Sequence, residues 1–177
     1  MRDDEDVRFS RRTSVPPDVL GDLPLLPGER ALAWAQDGQR QWYVGTDRAL
    51  LLPEDGSWRR IGWERVERAE WDRDSGALVV VETAEFGTLE PTHRLRMNDP
   101  NRLLELVRER VTASVVVRRF VAVEGRRGIT VVGRRAPHSD GALGWSFVVD
   151  SGLDERSPAV QAAAERALAQ ARAEIGV

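Results

Sequence analysis

Two histidines, His93 and His138, are the only imidazoles in the chain. With Asp140 they have the right types for a metal site, but they fall in different stretches with no helical i, i+4 spacing. The expectation is two ordinary surface histidines and no metal. Glu67/Glu70 and Asp72/Asp74 have the composition of acid/base pairs. In a chain with 29 acidic residues they read as solvated turns. Ser139 and Ser146 lack the strand–turn–helix context that activates a serine nucleophile. There is no cysteine, which removes disulfides, thiolate chemistry and cysteine-ligated metals. All 26 basic residues are arginine, which removes a Schiff-base lysine and the phosphate-binding lysines of P-loop enzymes and kinases. No catalytic residue and no cofactor site is expected, and the chain reads as a non-enzyme.

Recognition chemistry is better supported. The net charge of −3 is unevenly spread. Residues 1–112 carry 17 arginines and 22 acids, whereas residues 113–177 carry 9 arginines and 7 acids. Arg118-Arg119, Arg126-Arg127 and Arg134-Arg135 fall along one expected β-hairpin, and Glu124 is the only acid between residues 113 and 137. Adjacent strand residues point to opposite faces, so one member of each strand pair must face outward. These six arginines are the candidate partner-binding surface. Trp58 joins them as the tryptophan expected to be exposed, beside Gly56 and two arginines, whereas Trp34, Trp42, Trp63 and Trp71 are expected in the core. The Gly125–Gly128 run (GRRG) joins two strands and not two helices, so it is no KH loop.

The elements that carry these residues follow from periodicity and turn chemistry. Short apolar strands are expected over 29–36, 41–46, 49–52, 58–63, 66–71 (after a turn at Glu64–Arg65), 77–83 and 92–97. Asp37-Gly38 and Asp74-Ser75-Gly76 mark turns, and Pro53–Gly56 reads as a loop. Asp99 and Pro100 open a helix through about Ala113, with Leu103, Leu104, Val107 and Val111 at helical spacing. Three strands follow over 114–123, 129–135 and 143–149. Ser157 and Pro158 then start a C-terminal helix with Val160, Ala164, Leu168, Ala171 and Ile175 on one stripe. Residues 1–27 read as a flexible N-terminal arm and lead-in, with residues 1–15 a disordered arm. The fold class is α+β: a seven-stranded unit with a capping helix over 28–113, then a βββα extension over 114–177.

The run Thr46-Asp47-Arg48-Ala49-Leu50-Leu51-Leu52 resembles the strand–turn–strand of bacterial pleckstrin-homology-like (PH-like) and GRAM-like domains. Ile61-Gly62-Trp63-Glu64-Arg65-Val66 is similar to the segment that follows it in that family. The resemblance covers roughly residues 28–113 and implies an antiparallel β-barrel of about seven strands. It further implies a binding or scaffolding module. The turn Asp37-Gly38-Gln39-Arg40 holds one basic residue and not the cluster that chelates phosphoinositides, so peripheral lipid contact is not expected. The expected partner is a protein, a second copy of the chain included. The alternative is a nucleic acid, held by the Arg118–Arg135 hairpin of an αβββα unit. No run reaches the roughly 20 apolar residues that span a bilayer, and no secretory signal is visible, so the cytoplasm is the expected location.

Overall fold

The computed structural model describes residues 15–176. Ten strands and three helices form an α+β fold of three antiparallel sheets, none closed into a barrel.

The first sheet runs in sequence order through β1 (Ala31–Gln36), β2 (Trp42–Thr46), β3 (Ala49–Glu54) and β4 (Ser57–Gly62). Each connection is local. Asp37 Oδ1 accepts from the backbone N–H groups of Gln39 and Gln41, both at 2.8 Å, and so folds the β1–β2 turn. The expected loop at Pro53–Gly56 is instead a tight hairpin, with Pro53 paired to Trp58 and Glu54 to Ser57. Asp55 and Gly56 take positive φ (40° and 79°), the conformation that a two-residue turn between twisted strands requires.

A 3-10 turn at Trp63–Arg65 leads into the second sheet, β5 (Val66–Asp72), β6 (Ala77–Glu82) and β7 (Thr92–Arg96). The β5–β6 register slips between Val66 and Arg68, which makes Glu67 the residue of a bulge. Helix α2 (Asn101–Ser114) packs on β1, β2, β5 and the 3-10 turn, and the core lies between it and the two sheets. Trp63, Leu50, Ile61, Leu78, Val80, Leu103 and Val107 fill it. Trp63 donates its indole N–H to the Thr46 carbonyl at 3.0 Å, so the largest core side chain leaves no polar atom unpaired.

The lead-in is a correction to the sequence reading. Residues 1–14, most of the expected arm, lie outside the described residues. Residues 16–27 are not a loose connector. Val15, Val19 (on helix α1, Pro17–Asp22) and Leu23 are buried against Val44, Ala49 and Leu51 on the far side of the first sheet. That sheet therefore buries both faces.

The third sheet has the order β10 (Gly144–Val149), β9 (Arg127–Arg134), β8 (Val115–Glu124). Helix α3 (Pro158–Ile175) covers one face of it, packing on β8 and β9. Ser157 caps the helix by accepting from the Val160 N–H at 3.3 Å, as the sequence implied. No helix of the described residues is long and apolar enough to cross a membrane.

Candidate interaction surface

Strand alternation divides the third sheet into two unlike faces. Val117, Ile129, Val131, Trp145 and Phe147 point toward α3 and pack on its alanines. The opposite face carries Arg118, Phe120 and Ala122 on β8, Thr130, Val132 and Arg134 on β9, and Ser146 and Val148 on β10. Phe120, Thr130 and Val148 stand in one row across the three strands. Phe120 is 51% exposed, Val116 42% and Val148 37%, and these are three of the six exposed large apolar residues among those described. The Phe120 ring lies over Gly128: a Cβ built there would meet ring atoms at 2.7 and 2.8 Å. The Val121 carbonyl lies closer still, so a side chain at this position is excluded by the backbone as well as by the ring.

The six hairpin arginines separate into different roles. Arg118 is exposed and has no ion-pair partner among the described residues. Arg119 turns to the helix side and pairs with Glu174 of α3 at 2.5 Å. Arg126 is exposed at the hairpin tip, and Arg127 pairs with Glu124 at 3.0 Å. The arginine pairs do not align across the hairpin: Arg118 faces Val132, Arg119 faces Val131, and Arg134 faces Val115.

Arg134 overturns its surface assignment. It is 2% exposed, with its guanidinium turned inward. Nη1 donates to the Ser114 hydroxyl at 3.0 Å and to the Val111 carbonyl at 3.2 Å, and Nη2 donates to the Glu67 carbonyl at 2.8 Å. The sequence alone leaves open which of Arg134 and Arg135 points in. The docking of this face on the β5 bulge decides it. Burial, with Arg118 nearby, lowers the Arg134 pKa, and Glu67 partly opposes this. Arg135 is half-buried, and its backbone N–H donates to Ser114 O at 2.9 Å. Neither residue of this pair stands free on the surface.

The acidic residues with perturbed pKa values are tied into the frame. Glu82 is buried and accepts from Arg59 Nη2 at 2.6 Å, with His93 Nε2 at 2.7 Å. Burial would raise its pKa, but Arg59 and His93 outweigh that and hold the carboxyl below its usual range. Glu29 is likewise lowered against its burial, by Arg60 at 2.8 Å, the Thr46 hydroxyl and the Leu26 N–H. Glu67 goes the other way: burial and the neighbouring Glu90 push it up to about 7, against Arg68 and Arg134. A carboxyl titrating there could carry a proton at neutral pH. Its side chain is only 6% exposed and lies against Arg68 at 3.2 Å. The two histidines do not converge, since His138 lies 3.8 Å from Asp47 and His93 lies on Glu82. Sequence reasoning missed these anchors because each joins residues far apart in the chain.

No family model, curated protein or solved structure matches the chain. The geometry must therefore carry the assignment.

Trp58 stands apart from the arginines. It is half-buried, not exposed, and packs in the cluster that contains Trp34 and Trp42 under the lead-in. Trp42 is half-buried too, so the expected contrast between a core Trp42 and an exposed Trp58 is absent. An open groove beside them is lined by Gln41, Trp42, Pro53, Glu54 and Trp58. It holds none of the hairpin arginines.

Proposed function

We propose that this chain is a non-catalytic binding or scaffolding protein, acting in the cytoplasm, built on a PH-like core with a βββα extension as its recognition surface. The observation that carries the reading is the end of the third sheet's outer face that the β5 bulge leaves uncovered, since Val132, Arg134 and Ser146 at the other end are buried. There the exposed Phe120 and Val148 flank the half-buried Thr130 in one row, beside Arg118, whose guanidinium has no ion-pair partner among the described residues. Exposed apolar side chains grouped on one surface and rimmed by charge are the usual composition of a protein-binding patch. The order of seven strands and one helix before this extension supports the PH-like resemblance. The buried carboxylates that could suggest catalysis hold arginine and histidine partners inside the frame.

The partner chemistry favours protein over nucleic acid. In an αβββα nucleic-acid module both helices belong to one unit. Here α2 packs mainly on β1, β2, β5 and the 3-10 turn and touches the third sheet only at β8, whereas α3 covers β8 and β9. The test replaces Phe120 by Asp, and separately Arg126 and Arg127 by Glu, and reads capture from native lysate, duplex-RNA binding over a salt series, and melting temperature. Loss of a captured protein with unchanged melting supports the proposal. RNA affinity that falls steeply with salt and vanishes in the arginine variant supports the nucleic-acid alternative.

A further inference from the structure

We infer that the partner of this surface is a second copy of the chain, joined through antiparallel pairing of β8 with its counterpart about a two-fold axis at Val121. This rests on reading the uncovered end of the third sheet's outer face as a binding surface, and it names the occupant.

Strand β8 is ten residues long and, among the described residues, has β9 as its only strand neighbour. An edge strand leaves every second pair of backbone N–H and C=O groups without a strand partner, which is a template for another strand. The side chains of β8 that point away from α3 are Arg118, Phe120, Ala122 and Glu124, all exposed. The register with β9 slips between Ala122 and Glu124, yet the alternation survives: Val123 is half-buried and packs toward the α3 cluster.

This order of side chains is self-complementary. With the axis at Val121, Arg118 of one strand faces Glu124 of the other, and Phe120 faces Ala122, each contact occurring twice, as a closed two-fold interface demands. Moving the axis to Arg118 places two guanidinium groups against each other. Moving it to Phe120 leaves Arg118 opposite an alanine. Only the Val121 register neutralises both charges and covers both Phe120 rings. A wholly acidic strand from another protein could match Arg118 but would be repelled by Glu124. The existing Glu124–Arg127 pair is no obstacle, because both side chains are at least half exposed and such pairs are weak. The product is a six-stranded sheet, β10-β9-β8-β8-β9-β10, with the two Phe120–Thr130–Val148 rows side by side. Pairing through one strand edge lies at the small end of interfaces, so the dimer should depend on concentration.

Sedimentation of the full chain from about 1 μM to about 1 mM reads the equilibrium. The inference expects a reversible dimer. Arg118→Glu and Glu124→Arg should each weaken it at least about tenfold, through like charges in the interface. The double swap Arg118→Glu with Glu124→Arg should restore it. Melting curves at the dilute end confirm that each variant folds. A monomer throughout overturns the inference, and so does a dimer indifferent to both single reversals. The surface reading fails separately. If the chain stays monomeric but Phe120→Asp abolishes capture of another protein, self-pairing falls while the surface stands. If that variant changes nothing, both fall.

Discussion

Arg134 donates from Nη2 to the carbonyl oxygen of Glu67 at 2.8 Å, across 67 residues of sequence. The same guanidinium binds Val111 O and Ser114 Oγ at the end of α2. One buried side chain thus ties β9 to the β5 bulge and to the helix that closes the first unit. Arg134→Met removes a charged donor from three covered acceptors and should cost about 3 kcal/mol. Arg118→Met, at an exposed position, should stay within about 0.5 kcal/mol. Urea unfolding compares the two, and equal small losses would remove Arg134 as a tie between the units.

Glu67 gives the stability curve a sign opposite to the usual one. Its folded-state pKa is raised from 4.5 to about 7. Between those values the folded protein holds a proton that the unfolded chain has released, so stability falls as pH rises through that window. Glu29 and Glu82 act in the other direction: their pKa values are lowered on folding, and their contribution is lost as pH falls below the ordinary carboxyl range. Stability should therefore peak near pH 5, roughly where these opposing effects cross. Glu67→Gln should flatten the decline and gain on the order of 1 kcal/mol at pH 8. Urea midpoints at mildly acidic, neutral and mildly alkaline pH decide this, and an undiminished decline in the variant would refute it.

Much of the fold was legible. The β-branched runs, the Asp-Gly turns and the Ser157-Pro158 cap each declare their element within a few residues, and the strands fall within two or three residues of their expected ends. The candidate surface was half legible. Six arginines in a hairpin are visible in the sequence, but whether Arg134 faces water depends on β5, some 60 residues away. The bulge that turns the Glu67 carbonyl toward it has no local signature. The lead-in was legible in part: Pro16-Pro17-Asp18 read as the start of a short helical turn through Val19 and Leu20, and α1 (Pro17–Asp22) is that turn, but its docking through Val15, Val19 and Leu23 depends on the far face of the first sheet. The row that sets the exposed Phe120 and Val148 on either side of Thr130 needed the register of three strands and could not be seen in any one of them.

Gly45 sets how closely α2 approaches the first sheet. A Cβ there would lie 2.6 Å from Leu106 Cδ2 and 3.0 Å from Leu103 Cδ1. Gly45→Ala should cost about 1–3 kcal/mol by overpacking. Combining it with Leu106→Ala should recover part of that loss, because the second change removes the nearer obstacle. A double-mutant cycle read by thermal unfolding measures the coupling. Strict additivity would mean that the helix moves away freely and that the contact is not limiting.

The lead-in is the last test, because its docking reverses the sequence expectation. Val19 is buried, and with Val15 and Leu23 it covers Val44 and Leu51 beside Trp34, Trp42 and Trp58. Trp63 belongs to the other cluster, behind the sheet. Val19→Asp sets an unpaired carboxylate against that apolar surface and should cost at least about 2 kcal/mol. The segment should then detach before the core unfolds. Three tryptophans would gain water, and their emission should shift to the red at temperatures where Trp63 and the sheet circular dichroism are unchanged. Asp18→Asn, one residue away and exposed, is the control and should change neither signal. If Val19→Asp leaves both melting and emission where they were, the segment does not hold the outer face of the sheet, and Trp42 and Trp58 owe their partial burial to each other.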